Sequence, residues 1–386
     1  MTIRPSAMTG IPGPQLGDPL TGPANAIVST QPLQSILSGY EGSTVVITGG
    51  AGFIGSTLVR ALSGVSCHLV LILRPGRQVS AASDSRADLR LISGSLGQRE
   101  TWLQALTGAD YLFHLAGQTS AYLAGRDPLA DLEANVVPVL QMLEACRQEG
   151  MMPSVLFAGA VTQNGLPPRL PVNEGFPDLP VTVYDIHKLS AEKYLQFYAR
   201  EARIPTVTLR LANVYGPGND VGSADRGVLN RMVGNALRRK PLTVYGDGLH
   251  IRDYIFIEDV ARAFLMAGAA ARRLAGNYYV VGSGTGTRIV DAFKLVADRV
   301  ACWTGFRPEV VHVPQPDGMS SIEERDFVAD TTLFRSSTGW RPETPLSQGI
   351  DRTIDHLLRE EGMRHGATGG SAEIRHQAQP VRPEGL

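Results

Sequence analysis

The stretch TVVITGGAGFIGSTLVRAL, residues 44–62, decides the fold of this protein. An apolar run of strand length leads into Gly49, Gly52 and Gly55, and a segment with helical periodicity follows. Glycines at this spacing allow a tight turn, a close approach of the backbone to a pyrophosphate, and close packing of a helix on a strand. The N-terminus of that helix adds N–H donors for the phosphates. Because the strand and the helix stand on the correct sides of the glycines, the stretch predicts a dinucleotide-binding turn.

Apolar runs continue beyond this turn and alternate with helical segments. The runs of strand length are STVVITGG, HLVLILR, LRLISGS, YLFHLAG, SVLFAGA and TVTLRLANV, and segments such as LADLEANVVPVLQMLEACRQ lie between several of them. Uninterrupted apolar strands that alternate with helices are typical of a parallel sheet covered on both faces. We therefore predict the α/β class, with a Rossmann-like doubly wound parallel sheet.

Composition and charge limit the function classes. The 386 residues are 43% hydrophobic and 19% charged, which is typical of a globular chain with a full core. A net charge of −1 provides no general attraction to nucleic acid or to an anionic membrane surface. No apolar run approaches the ~18–20 residues that span a bilayer, and the N-terminus lacks the apolar segment of a signal peptide. We expect a soluble protein with small-molecule partners and without nucleic-acid or membrane partners.

The cysteines indicate the compartment. Cys67, Cys146 and Cys302 are scattered, without the spacing of a disulfide framework or of a metal site. We therefore expect no bound metal and a reducing, cytoplasmic location.

The second apolar run ends in LVLILRPGR, and its arginine bears on cofactor choice. Rossmann units often place an acid here to bind the adenosine ribose, and this sequence has Arg74, with Arg77 close behind. A guanidinium pairs with a 2′-phosphate, whereas a carboxylate repels it. Arg74 therefore favours NADP over NAD, and the alternative is a solvated arginine in an arginine-rich chain.

The motif YDIHK, Tyr184 to Lys188, is the second chemical signal. Lysine is rare in this chain, with only four residues in all. On a helix, residues four apart share a face, so the phenol and the ammonium meet in one site. A nearby cation favours phenolate and lowers the tyrosine pKa toward a range useful for proton transfer. The alternative is a surface pair on an amphipathic helix.

Together these motifs resemble the extended short-chain dehydrogenase/reductase superfamily, and within it the NAD(P)-dependent epimerase/dehydratase family that modifies nucleotide sugars. The resemblance covers residues from about 43 to 360. Its further marks are HLAGQTS at 114–120, Asn135, LRLANVYGPGN at 209–219, PLTVYGDGLHIRDYIFIEDVARAF at 241–264 and FVADTTLFRSSTGWRPETPL at 327–346.

The resemblance implies a role for each matching residue. It assigns Tyr184 as acid/base and Lys188 as its partner, which also binds the nicotinamide ribose. The implied cofactor-binding residues are Gly49, Gly52, Phe53, Ile54, Gly55, Arg74, Leu115, Ala116, Gly117, Asn135 and Lys188. The implied substrate-binding residues are Asn213, Leu242, Tyr245, Arg252 and Arg325.

The resemblance also implies the domain organisation. Residues 43–362 form the family unit, with a dinucleotide-binding core of about 43–216 plus 246–274. A smaller C-terminal α/β part, about 217–245 and 275–360, closes over a nucleotide-sugar substrate. Family members commonly dimerise, so we expect a homodimer. Residues 1–42, rich in Pro, Gly, Ser and Thr, and the polar tail 363–386 are expected to be poorly ordered.

One residue departs from the family pattern. The family has Ser or Thr five residues before the glycine that here is Gly165, and counting back gives Ala160. Thr162 is the candidate replacement, because it points to the same side as Ala160 if the strand continues. Gln163 and Asn164 are further candidates. Loss of one such donor costs about 10²–10³ in rate at a comparable site, so catalysis is slowed rather than abolished.

The same stretch limits the reaction. Dehydratases of the family carry Asp-Glu where this chain has Val161 and Thr162, which disfavours a 4,6-dehydratase. We expect an NAD(P)-dependent oxidoreductase that reduces an NDP-4-keto-(6-deoxy)hexose with NADPH, since Arg74 favours NADP. The alternative is an NDP-sugar 4-epimerase with retained NAD. A catalytically silent NADP-binding sensor or scaffold is the alternative of another class.

Overall fold

A computed structural model describes residues 33–74, 76, 84–218, 227–316 and 318–366. The strands in this part of the chain are β1 (Thr44–Thr48), β2 (His68–Leu73), β3 (Asp88–Ser93), β4 (Tyr111–His114), β5 (Ser154–Ala160), β6 (Thr206–Leu211), β7 (Asn213–Tyr215), β8 (Leu242–Tyr245), β9 (Ile251–Phe256), β10 (Asn277–Val281), β11 (Gly286–Arg288) and β12 (Val310–Val313). The α-helices are α1 (Leu33–Ser38), α2 (Phe53–Ser63), α3 (Arg99–Leu106), α4 (Ala121–Arg126), α5 (Pro128–Asn135), α6 (Val137–Glu149), α7 (Val183–Glu201), α8 (Val228–Leu237), α9 (Ile257–Ala269), α10 (Ala271–Leu274), α11 (Ile289–Thr304), α12 (Thr332–Thr338) and α13 (Leu346–Gly366). Short 3₁₀ helices span Val161–Asn164 and Ser321–Glu324.

A seven-stranded sheet forms the centre, in the order β10-β6-β5-β4-β1-β2-β3. Each pair of neighbours is parallel. Val45, Val46 and Ile47 of β1 are fully buried, as expected for a strand covered on both faces. The strand order reverses between β1 and β4, and ligands of open α/β sheets bind in the crevice at such a point. The predicted Rossmann-like doubly wound sheet is confirmed.

Two apolar layers cover the sheet. One contains residues of α2 and α9, such as Leu58 and Phe264, and the other contains Trp102, Met142 and Leu195 from α3, α6 and α7. These helices place their apolar stripes on the strands, which explains the helical periodicity between the strand-length runs. Among the described residues, no helix is long and apolar enough to cross a bilayer.

The smaller part has its own sheets and its own core. It includes β7 and β9, which lie in ranges expected in the dinucleotide-binding core, whereas β10, expected in the smaller part, pairs with β6 in the main sheet. Strand β9 pairs with β7 in parallel and with β11 in antiparallel orientation, and β8 pairs with β12 in parallel. Helices α8, α11 and α13 pack around an apolar cluster that includes Val233, Phe293 and Ile350. The C-terminal part is therefore α/β, as predicted.

The N-terminal boundary differs from the prediction. We expected residues 1–42 to be poorly ordered, but α1 forms and its Ile36 and Leu37 are buried. Tyr40 is fully buried, and its hydroxyl donates to the Leu265 carbonyl oxygen at 2.6 Å. These apolar side chains pack on α9, a contact that local composition does not reveal. At the other end α13 runs to Gly366, past the expected boundary at 362. The remaining tail residues, 1–32 and 367–386, lie outside the described residues.

The burial of Tyr40 leads to a stability prediction. Tyr40→Ala is expected to lower the free energy of unfolding by about 3–5 kcal/mol, because it leaves a cavity and removes the buried hydrogen bond to the Leu265 carbonyl. Leu33→Ala in the preceding helix α1 is the control, since Leu33 is half-exposed and should change stability by less than about 0.5 kcal/mol. Urea unfolding monitored by circular dichroism measures both. Equal losses for the two variants would contradict the docking of this segment.

Candidate active site

The glycine turn follows β1 and packs against the end of β4. Gly49 has φ +71°, and a Cβ there would lie 2.9 Å from the Ala116 nitrogen. The Gly52 N–H donates to the Gly49 carbonyl oxygen at 2.7 Å, and Gly52 precedes the first turn of α2. A Cβ at Gly55 would lie 2.1 Å from that same carbonyl oxygen. Only glycine fits at these positions, so the turn keeps its backbone close to β4 and leaves the N-terminus of α2 open.

Thr48 joins the ends of β1 and β4. Its Oγ1 accepts from the N–H groups of Leu115 and Ala116, both at 3.1 Å, and lies 2.9 Å from Nδ1 of His114. Since the hydroxyl oxygen already accepts twice, its proton goes to Nδ1, which leaves the other imidazole nitrogen protonated. Burial and the charge of Lys188 lower the pKa of His114 to about 3, so the ring is neutral. Its Nε2 has no hydrogen-bond partner in the described part of the chain.

Gly117 and Asn135 meet beside this loop. A Cβ on Gly117 would lie 2.6 Å from Oδ1 of Asn135. The Asn135 amide nitrogen donates to the Gln118 carbonyl oxygen at 3.1 Å and to Asp131 at 3.0 Å. The buried Asn135 Oδ1 has no partner within the described ranges. The structure thus brings together the predicted cofactor residues at the ends of β1 and β4, and leaves an amide oxygen free among them.

Helix α7 carries Tyr184 and Lys188 on one face. The ammonium of Lys188 lies 4.0 Å from the centroid of the Phe157 ring, and burial lowers its pKa to about 7 against the opposing charges of Asp131 and Glu192. We expected the tyrosine pKa to be lowered as well. Instead burial raises the pKa of Tyr184, because desolvation disfavours phenolate and two nearby carboxylates act in the same direction.

The chain turns immediately after Ala160, so the expected strand alternation does not extend to Thr162. Both ends of the Gln163 amide are used, since its Oε1 accepts from the Ala160 N–H at 2.8 Å and its nitrogen donates to Glu192 at 2.9 Å. Asn164 donates to the Pro177 carbonyl oxygen at 3.2 Å. The buried Thr162 hydroxyl lies against the Asp185 carboxylate, and its hydrogen bond acts to lower the pKa of that carboxyl. Of the three candidates for the missing hydroxyl, Thr162 alone is itself a hydroxyl.

Two buried arginines lie in the smaller part. Arg252 on β9 donates to the Glu323 carbonyl oxygen at 2.7 Å and also to the Arg325 carbonyl oxygen. Arg325 is 5% exposed, and its Nε has no partner among the described residues. Burial and the charge of Arg252 lower the pKa of Arg325 to about 10, opposed by Asp185 and Glu323. The two cations are therefore neighbours, and Asp185 lies close to them.

The other predicted residues differ in accessibility. Asn213 is partly buried and its Oδ1 is unpaired within the described part of the chain. Leu242 is fully buried in the apolar cluster, so its side chain presents no surface to a ligand, whereas Tyr245 is half-exposed. Arg74 is exposed at the end of β2, and Arg77 lies outside the described residues.

The sequence analysis did not identify several residues of the site. Asp131 accepts from Gln118 at 2.7 Å, and its other oxygen lies 2.7 Å from Nδ1 of His187. Asp131 stands four residues before Asn135, and residues at this spacing share one face of a helix. This spacing could have identified Asp131 from the sequence as a neighbour of Asn135. Asp185 lies inside the motif YDIHK, but the sequence gave no sign that its carboxylate is buried. The neutral tautomer of His114 had no sequence signal.

Comparison with known proteins decides the family. Residues 45–282, more than half of the chain, match the sequence profile of the NAD dependent epimerase/dehydratase family. The chain belongs to this family. As a family member it is an enzyme, and the resemblance stated from its motifs is confirmed.

This chain aligns with individual relatives over nearly their whole length. The UDP-glucose 4-epimerase of Mycolicibacterium smegmatis is 31% identical over 314 residues, which are 80% of this chain and 97% of the relative. Two solved structures are 29% identical and cover 82% of this chain and 99% of their own. They are the UDP-glucose 4-epimerase of Thermotoga maritima with UDP-glucose, at TM-score 0.73, and that of Thermus thermophilus with NAD, at TM-score 0.69.

The glycine turn gives a binding prediction. Gly55→Ala is expected to lower NAD affinity at least about tenfold, because the new methyl group collides with the Gly49 carbonyl oxygen and displaces the turn. Gly64→Ala at the end of the same helix is the control, since its Cβ would meet nothing closer than 3.7 Å. Isothermal titration with NAD measures both variants. Equal affinity of the Gly55→Ala variant and the wild type would argue against cofactor binding at this turn.

The buried ammonium gives a pH prediction. Lys188→Met is expected to stabilise the cofactor-free protein by about 1–4 kcal/mol at low pH, because it removes a buried charge. The pKa of Lys188 falls from 10.5 to about 7 on folding, so between these values the unfolded chain binds more protons and wild-type stability rises with pH. The advantage of the variant is therefore full below about pH 7 and shrinks toward about pH 10.

Urea unfolding across that pH range measures this difference. Lys294→Met is the control, because Lys294 is exposed on α11 and its replacement should give a difference that does not vary with pH. If the difference in unfolding free energy between Lys188→Met and the wild type were also independent of pH, the Lys188 ammonium would not be buried as a charge.

Proposed function

We propose that this enzyme is a nucleotide-sugar 4-epimerase that keeps NAD bound through the reaction. The observation that carries the proposal is the presence of Tyr184 and Lys188 on one face of α7, with Lys188 close enough to His114 at the end of β4 for its charge to lower the His114 pKa. The relatives favour the epimerase over the reductase that we expected from Arg74, since all three described above are UDP-glucose 4-epimerases. UDP-hexoses are accordingly the proposed substrates.

The residues present fit a dinucleotide. The glycine turn leaves no space for a Cβ, which is what close approach of a pyrophosphate requires, and the start of α2 offers free N–H groups. His114 and Asn135 add unpaired polar atoms at the end of β4. We propose NAD rather than NADP, because Arg74 is exposed in the manner of a solvated arginine and the Thermus thermophilus structure contains NAD.

Tyr184 is the proposed acid/base. When bound, NAD⁺ would supply the hydride acceptor for the sugar carbon. Tyr184 would accept the proton of the sugar hydroxyl while the carbon that bears it gives up a hydride. It would return the proton to the same oxygen once the hydride has come back on the opposite face of that carbon. The ammonium of Lys188 stabilises the phenolate in between, and this offsets the burial that raises the pKa of Tyr184.

Thr162 is the proposed substitute for the hydroxyl that is absent at Ala160. Its hydroxyl stands in the turn after β5 beside Asp185, and it would polarise the sugar oxygen by turning its O–H from that carboxylate to the substrate. Val161 and Thr162 provide no carboxylate, and dehydration at carbons 5 and 6 needs an acid and a base there. The 4,6-dehydratase is therefore not part of the proposal.

A homodimer is the proposed assembly. Ile186, Tyr194 and Phe197 lie on the solvent side of α7 and are each at least 40% exposed. Their spacing places them along one helix face, which a second copy of the chain would cover. The cytoplasmic location and the lack of nucleic-acid and membrane partners stay predictions from the sequence.

Turnover tests the proposal. Wild-type protein, without added cofactor, is expected to convert UDP-galactose to UDP-glucose and to release NAD on denaturation. Tyr184→Phe is expected to lower kcat by about 10²–10⁴ while NAD content is unchanged, because only the proton-transfer group is lost. Tyr194→Phe, an exposed tyrosine on the same helix, is the control.

Two outcomes would contradict the epimerase. NADPH-dependent reduction of a 4-keto sugar without any epimerisation would support the reductase function instead. Unchanged turnover in the Tyr184→Phe variant would remove Tyr184 from the mechanism.

A further inference from the structure

Asp131 on α5 lies at the centre of a hydrogen-bond network that joins three segments of the chain. It is 1% exposed. One carboxylate oxygen, Oδ1, accepts from the side-chain nitrogens of Gln118 at 2.7 Å and Asn135 at 3.0 Å. The other oxygen, Oδ2, lies 2.7 Å from Nδ1 of His187 on α7. The carboxylate therefore connects the loop after β4, helix α5 and helix α7, and the proposed mechanism gives it no role.

These contacts hold the Asp131 side chain in one orientation. Both of its oxygens are bonded, so rotation of the carboxylate would break hydrogen bonds in a buried place, which is costly. Gln118 is fixed in turn, because its side-chain nitrogen also donates to the Ser120 carbonyl oxygen at 2.8 Å. A buried acceptor that is held in this way dictates the orientation of the polar group that it contacts.

The group whose orientation is dictated is the amide of Asn135, which is 2% exposed. Two acceptors, the Asp131 carboxylate and the Gln118 carbonyl oxygen, lie 3.0 and 3.1 Å from the same end of this amide. An amide donates at one end and accepts at the other, so the end that faces two acceptors is the NH₂ group. A flipped amide would place its oxygen against both acceptors. The surroundings therefore fix the Asn135 oxygen on the opposite side.

The fixed oxygen lies where the cofactor is proposed to bind. Asn135 Oδ1 makes no hydrogen bond to any described residue, and a Cβ on Gly117 would lie only 2.6 Å from it. Gly117 directly follows Ala116, whose nitrogen packs against the glycine turn. Buried polar atoms without partners are rare because desolvation is costly. Such an oxygen indicates a donor on a ligand, and the ribose hydroxyls of a dinucleotide are donors, whereas its phosphates only accept.

We propose that Asp131 is a positioning residue, which fixes the Asn135 amide so that its oxygen accepts a hydrogen bond from the bound dinucleotide. Asp131 acts without touching the cofactor, through Asn135. The inference rests on the proposed function only in that it assumes bound NAD. It gives Asp131 a contribution to NAD affinity that is separate from its contribution to stability.

Equilibrium dialysis of the purified protein against NAD tests this role without turnover. Asp131→Ala removes the acceptor and lets the Asn135 amide flip, so it is expected to weaken NAD binding about tenfold or more, the usual effect of losing one buried hydrogen bond to a ligand. Glu133→Ala is the matched control, because Glu133 is exposed on the same helix and should leave NAD affinity unchanged.

The conservative variant Asp131→Asn is expected to restore binding to within about threefold of the wild type. Its oxygen still accepts from Asn135, and its nitrogen faces His187, whose Nδ1 accepts in the other tautomer. A loss of stability alone would not produce this rescue of affinity. NAD binding as weak in Asp131→Asn as in Asp131→Ala would overturn the inference.

A double-mutant cycle with Asn135→Ala tests whether Asp131 acts through the amide. In the Asn135→Ala background, Asp131→Ala should weaken NAD by no more than about twofold further, because the oxygen that Asp131 positions is already absent. An equal weakening with and without Asn135, or wild-type affinity in Asp131→Ala, would overturn the inference. If Asp131→Ala does not fold, Asp131→Ser takes its place in the cycle, since the serine oxygen stops one atom short of the carboxylate oxygens.

The outcomes also separate the inference from the proposed function. Wild-type protein that binds NAD with the expected dependence on Asp131 and Asn135, but interconverts no UDP-hexose, would disprove the epimerase and support the positioning role. Wild-type protein that binds no NAD would overturn both.

Discussion

The close backbone contact between the glycine turn and the end of β4 is the constraint on which the rest of the structure depends. A Cβ on Gly49 would lie less than 3 Å from the Ala116 nitrogen. The Thr48 hydroxyl also joins the two strand ends, because it accepts hydrogen bonds from the loop after β4. The strand order reverses between the parallel strands β1 and β4, so the chain leaves them in opposite directions across the sheet. The ligand-binding crevice of such a sheet therefore opens at the glycine turn. Every group proposed to meet the cofactor is placed relative to this contact.

A buried ionic network holds α7, the helix that carries Tyr184 and Lys188, against that frame. Arg210 on β6 and Glu192 on α7 are both fully buried and bond through two nitrogens, at 2.7 and 2.9 Å. Gln163 connects Glu192 to the Ala160 N–H, so the turn after β5 and the helix of Tyr184 share one set of hydrogen bonds. A bidentate arginine pair has a defined geometry. The network therefore orients α7 more strictly than apolar packing alone.

The fold was predictable because its signals are local. Apolar strands, helical segments and the glycine spacing each appear within about 20 residues, and they specify a doubly wound sheet. Tyr184 and Lys188 were predictable for the same reason, since four residues on a helix define a shared face. The docking of α1 on α9 was missed, because Tyr40 and Leu265 are 225 residues apart and only their contact shows that the segment is ordered.

The sequence by itself determined the sheet, the glycine turn and the family, because these depend on residue type and on short spacing. Only the tertiary structure decided the electrostatics of the site. Burial, and not the neighbouring lysine, sets the direction of the Tyr184 pKa shift, and the turn after Ala160 places Thr162 beside Asp185. Charge interactions and desolvation depend on distance and on access to water, and both are created when segments far apart in the chain come together.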